Sequence, residues 1–126
     1  MASLLLIDED RDACQLAKRV LGREGHIAKA LTRPQEVLTW LGGNSPDLTI
    51  ASAGKYGVKA RMMVELLQQA GVNGSRIVLR AEMGDLGSIR RSFGDRVLAV
   101  IEKDDGFEHL LKLIRAVEVE GEAIKR

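Results

Sequence analysis

Two rhythms of apolar residues take turns along this chain: short continuous runs, and stripes that recur every three or four positions. Ser3 to Ile7 is a run closed by the acidic cluster Asp8, Glu9, Asp10, the pattern of a buried parallel strand ending at a polar edge. From Asp10 the period changes. Ala13, Leu16, Ala17, Val20 and Leu21 share one side, and Arg11, Lys18, Arg19 and Arg23 the other, which predicts an amphipathic helix ending near Gly25. His26 to Ala30 has room only for a short second strand. Thr32-Arg33-Pro34-Gln35 then supplies a capping-box pattern with an early proline, and a helix through Val37, Leu38, Trp40 and Leu41 stops at Gly42-Gly43.

Pro46 to Ser52, reading PDLTIAS, has the pattern of a central buried strand that delivers one side chain, Ser52, to its carboxyl edge. Gly54-Lys55-Tyr56-Gly57 opens the chain afterwards, and Met62, Met63, Leu66, Leu67 and Ala70 follow at helical spacing, with both methionines read as core filler. Arg76 to Leu79 predicts a fourth strand ending at Arg80. Met83 to Phe93 is a weaker helix, because Gly84 and Gly87 each cost about 1 kcal/mol relative to alanine, and it is expected to be short or mobile. Val97 to Ile101 is a fifth β-branched run, and Phe107, Leu110, Leu111, Ile114 and Val117 mark a closing helix. Residues 1–120 form one domain on this reading, and 121–126 a charged tail or the start of a linker.

Five strands alternating with five helices, without an internal repeat, predict an α/β three-layer sandwich around a parallel sheet. Right-handed crossovers leave few topologies, and the flavodoxin-like order 2-1-3-4-5 is the expected one at this size. The length of 126 residues fits a single domain, and aromatics at 3% leave an aliphatic core. A formal charge of +1 gives no concentrated basic surface for nucleic acid or a membrane. Cys14 has no partner for an internal disulfide and reads as an inert helical thiol. The amino terminus has neither a membrane-length apolar run nor the pattern of a signal peptide, which places the expected location in the cytoplasm.

In an open parallel sheet, ligands and chemistry sit outside the carboxyl ends of the strands. The expected order therefore gathers Asp8, Glu9, Ser52, Arg80 and Lys103 at one edge. There the chain resembles a response-regulator receiver domain of two-component signalling. LLIDED stands where that family has its acidic pair, PDLTIAS where it has the aspartate strand, IVLRA where a strand ends in Thr or Ser, and VIEKD where it has Lys-Pro. In the family the acidic pair and the strand-end aspartate hold Mg²⁺, the aspartate accepts a phosphoryl group, and the Thr/Ser and Lys contact the phosphate. Asp8, Glu9 and Lys103 match. Ser52 replaces the acceptor, Arg80 the Thr/Ser, and Asp104 the proline after the lysine, while Val100 stands near the switching aromatic.

Three carboxylates and one lysine carry a net charge of about −2, suited to a divalent cation, whereas Asp8, Glu9, Arg80 and Lys103 balance with Ser52 neutral. Arg80 either forks onto the acidic pair as a built-in counter-ion or points to solvent. The resemblance thus implies a degenerate receiver, a pseudo-receiver. It would act by protein contact without aspartyl phosphorylation, without catalysis of its own, and with Mg²⁺ bound weakly or not at all. Its partner would be a signalling protein, an output domain, or a second copy in a homodimer. The family commonly docks through its fourth helix, fifth strand and fifth helix, which here offer Arg90, Arg91, Phe93, Lys112 and Arg115. Two alternatives stand beside it: an active phosphorelay receiver with an atypical acceptor (Ser52, Asp8 or Glu9), and a small-ligand-binding flavodoxin-like domain. For the latter only the Gly54–Gly57 loop offers an anion cradle, and a surface loop is the plainer reading. His26 and His109 lack metal-ligand spacing, and Trp40 reads as helix-to-sheet packing.

Overall fold

The computed structural model describes residues 1–125. In chain order they form β1 (Ser3–Ile7), α1 (Arg11–Arg23), β2 (Ile27–Leu31), α2 (Pro34–Leu41), β3 (Leu48–Ser52), α3 (Ala60–Gln69), β4 (Ile77–Ala81), α4 (Met83–Phe93), β5 (Ala99–Glu102) and α5 (Glu108–Lys125). Every strand pair is parallel and the sheet order is β2-β1-β3-β4-β5, as the sequence predicts. No described helix is long and apolar enough to cross a membrane.

Successive side chains on a strand point to opposite faces, so each strand feeds two cores. On one face Leu5, Ile7, Ala51, Leu79 and Val100 meet Val37 of α2, Val64 and Leu67 of α3, and Ile89 and Phe93 of α4. On the other, Leu4, Leu6, Ile50, Val78 and Ile101 meet Ala17 and Leu21 of α1 and Leu110, Ile114 and Val117 of α5. Trp40 packs part-buried against the first core. The register is level at the carboxyl edge, with Ile7 beside Ala51 and Ser52 beside Arg80. Two residues past Leu6, Ile50 and Val78, the residues Asp8, Ser52 and Arg80 inherit the parity of the α1/α5 face.

Several local expectations need correction. The capping box at Thr32 does not form: the cap position falls on Arg33, with no side-chain cap bond, and Pro34 opens α2 with its preset φ. The side-chain cap belongs instead to Asp10, whose Oδ1 accepts from the N–H groups of Asp12 and Ala13 at 2.9 and 3.2 Å. The buried seam of α1 runs through Cys14, Ala17 and Leu21, which turns Leu16 outward. On α3 the seam is Ala60, Met63, Val64 and Leu67, so Met63 fills the core and Met62 is exposed.

Despite its two glycines, α4 is a continuous helix of 11 residues. Its burial of Ile89 and Phe93 at i, i+4 spacing offsets the propensity cost, and Asp85 in the first turn with Arg90 and Arg91 in the last complement the helix dipole. Helix α5 continues to Lys125, through the stretch the sequence assigns to a tail, while Arg126 lies outside the described residues.

Candidate functional site

Four strand ends bring the acidic pair, the serine, the arginine and the lysine to one edge. Lys103 follows β5, its N–H donating to the Ala81 carbonyl at 2.8 Å, and its side chain reaches back over the ends of β4 and β3. Its ammonium lies 3.2 Å from Asp8 Oδ2 and donates to Ser52 Oγ, also at 3.2 Å. Ser52 Oγ accepts a second bond from the Gly54 N–H at 3.3 Å. Asp8 Oδ1 accepts from the Asp10 N–H at 3.0 Å, which ties the carboxylate to the start of α1. Lys103 and Asp8 are largely withdrawn from water, with side chains 22% and 12% exposed.

Arg80 takes neither course the sequence leaves open. Its Nη2 donates to the main-chain carbonyl of Lys103 at 3.0 Å, and the guanidinium stacks 5.3 Å from the centre of the Phe107 ring. Burial lowers its pKa, opposed by the charges of Asp8 and Asp104. Arginine nonetheless stays charged at any physiological pH. Lys103 is therefore held at both ends, its backbone by Arg80 and its ammonium by Asp8.

Glu9 pairs with Lys59, a residue that the sequence pattern does not single out. Lys59 immediately precedes α3, and only the fold shows that the loop after β3 turns back across the acidic pair. The two carboxylates thus meet two ammonium groups, one apiece. These groups, with Ser52 and Lys55, line part of a cavity of about 320 Å³ at the carboxyl edge. Cys14 lies beneath it, its Sγ donating to the Asp8 carbonyl oxygen at 3.4 Å. Burial, then the Asp8 charge, pushes the thiol pKa up.

The expected docking face divides. Arg91, Lys112 and Arg115 are exposed. Phe93 is a correction: it is 6% exposed and belongs to the core under α4, with the Arg96 guanidinium 5.5 Å from its ring centre. Arg90 donates through Nε and Nη2 to the Val100 carbonyl at 3.2 and 3.1 Å, strapping α4 to β5. Among the described residues no cluster of three or more His, Cys, Asp or Glu has the geometry to hold a metal ion. His26 Nδ1 accepts the Ala2 N–H at 3.1 Å, a structural use.

No protein-family model and no curated protein matches this sequence. Solved structures match closely in shape. The receiver domain of a Francisella response regulator aligns with a TM-score of 0.78 at 12% identity, over 95% of this chain and 99% of that one. A response-regulator receiver-domain protein from Clostridium thermocellum gives 0.76 at 16% identity, over 98% and 99%. A two-component response regulator from Clostridium difficile gives 0.75 at 19% identity, over 93% and 95%. The chain has the fold of response-regulator receiver domains.

Proposed function

We propose that this chain is a pseudo-receiver: a cytoplasmic, non-catalytic signalling module of a two-component or phosphorelay-type system that works by protein contact, without aspartyl phosphorylation. One observation carries the reading. At the end of β3 stands the hydroxyl of Ser52, which accepts hydrogen bonds from Lys103 and Gly54. Phosphoryl transfer to a receiver needs a carboxylate nucleophile there, charge-neutralised by metal and lysine. A serine hydroxyl needs a general base, and an ammonium that carries only donors and is paired with Asp8 does not supply one. Mg²⁺ is expected to bind weakly or not at all, because Asp8 and Glu9 already have cationic partners.

The partner is a signalling protein or an output domain, or a second copy in a homodimer, docking through α4, β5 and α5. Incubating the protein with acetyl phosphate and Mg²⁺, followed by intact mass, tests the reading. An unchanged mass is expected, and a stoichiometric phosphoryl adduct would overturn it in favour of an atypical acceptor. Charge reversal at Arg91 and Arg115 should weaken capture of the partner, and undiminished capture would count against this face.

The 320 Å³ cavity favours one second reading, a site for a small ligand, since it lies at the low end of the usual pocket range. A rise in melting temperature with a nucleotide panel would support it.

A further inference from the structure

Resting on the pseudo-receiver reading, we propose that Lys59 is the resident cation of this cleft, supplying beside Glu9 the positive charge that a divalent metal would otherwise bring. Three features make the lysine part of the site. Its ammonium pairs with Glu9, joining the loop after β1 to the loop after β3 at the edge where Ser52 ends its strand. Its backbone is fixed, the N–H donating to the Ala53 carbonyl at 3.0 Å and the carbonyl accepting from the Met63 N–H at 2.9 Å. Its stem passes over Gly54, where a Cβ would lie 3.0 Å from Lys59 Cγ and 3.2 Å from Cβ. Gly54 also holds φ at +77°, a conformation that L side chains rarely adopt, so one glycine serves both the turn and the passage of the lysine.

The charges explain why one lysine is not enough. Lys103 is committed to Asp8 and Ser52, which leaves Glu9 as the member of the acidic pair free to recruit a cation. Mg²⁺ demands near-octahedral oxygen ligands and gives up its water reluctantly, so a single carboxylate beside an ammonium is a poor site for it. Lys59 reaches the same carboxylate without dehydrating an ion. The pair is partly solvated, with side chains 38% and 58% exposed, so its hold on Glu9 is modest rather than absolute. Restoring the β3 carboxylate should therefore recover metal binding only weakly while Lys59 remains, and more fully once it is gone.

The test compares Ser52→Asp, Ser52→Asp/Lys59→Met and Ser52→Asp/Lys59→Arg in the full chain, titrating MgCl₂ by calorimetry and following melting temperature. The methionine variant keeps most of the stem over Gly54 and loses the charge, while the arginine variant keeps the charge. The methionine pair should bind Mg²⁺ about two- to five-fold more tightly than Ser52→Asp alone, the scale of an exposed ion pair. The arginine pair should stay close to Ser52→Asp. Equal affinity in the methionine and arginine variants would overturn the proposal, as would Mg²⁺ binding by the unmodified protein at the methionine variant's affinity. If Ser52→Asp/Lys59→Met does not fold, Ser52→Asp/Lys59→Gln takes its place and should show the same gain in Mg²⁺ affinity over Ser52→Asp, and no gain there would count against the proposal. Acetyl-phosphate labelling of the unmodified protein would remove the pseudo-receiver reading, whereas the Mg²⁺ titrations alone decide the role of Lys59.

Discussion

Lys103 and Asp8 sit at the ends of strands separated by two others, yet the ammonium lies 3.2 Å from the carboxylate. The contact spans β4 and β3 at their carboxyl edge and makes Ser52 its third member. A pair this far withdrawn from water falls between the exposed case, where ion pairs contribute little, and the buried one, where removing a partner is costly.

Lys103→Met should therefore destabilise the protein by about 2 kcal/mol in urea unfolding, since it leaves Asp8 without its cation. Asp8→Asn in the same background should recover part of that loss. The double-mutant cycle should give a coupling energy of about 1 kcal/mol or more. Strict additivity would mean that the two charges do not interact in solution.

Arg80→Thr removes the bond to the Lys103 carbonyl and the stacking on Phe107, and should cost about 1–2 kcal/mol in stability. Because the guanidinium is directed at a main-chain carbonyl, adding this change to Ser52→Asp should raise Mg²⁺ affinity less than adding Lys59→Met does. Calorimetry on the two double variants decides the order. A larger gain from Arg80→Thr would show that Arg80, rather than Lys59, is the competing cation.

The strands and their order were legible because an apolar run and a helical stripe differ in period, and because right-handed crossovers leave few arrangements. The gathering of Asp8, Ser52, Arg80 and Lys103 followed from that order. Arg80's destination did not, since its acceptor is a backbone carbonyl, which every residue has and no sequence pattern marks. Lys59 stayed hidden for a related reason: a lysine before a helix is ordinary until the loop is seen to fold over Glu9. Phe93 did carry a signal, its i+4 spacing from the apolar Ile89, which points to one buried face of α4.

Cys14 offers a pH test. Its pKa is raised above the ordinary 9.0, by burial first and then by Asp8, so the folded protein disfavours the thiolate. Iodoacetamide should label native Cys14 on the order of 100-fold more slowly than the urea-unfolded chain near pH 8. In the folded state the labelling rate should keep climbing at pH values above that ordinary pKa. Rapid native labelling at neutral pH would show a reactive thiol instead of a packed one.

Among the described residues, Thr49 is the one buried residue with a polar side chain. It sits on β3 at 0% exposure, registered between Leu5 and Ile77, and its hydroxyl has no hydrogen-bond partner among the described residues. A buried hydroxyl left unpaired costs about 1–3 kcal/mol, and a methyl group of similar shape carries no such cost. Valine is also β-branched and suits a central strand. Thr49→Val should thus stabilise the domain by about 1 kcal/mol, raising the melting temperature by a few degrees. Thr49→Ser keeps the hydroxyl and deletes the methyl, so it should destabilise by a similar amount through the space it leaves. If Thr49→Val destabilises while Thr49→Ser is neutral, the hydroxyl is making a bond that matters more than the packing, and β3 is held by a polar contact on its α2/α3/α4 face.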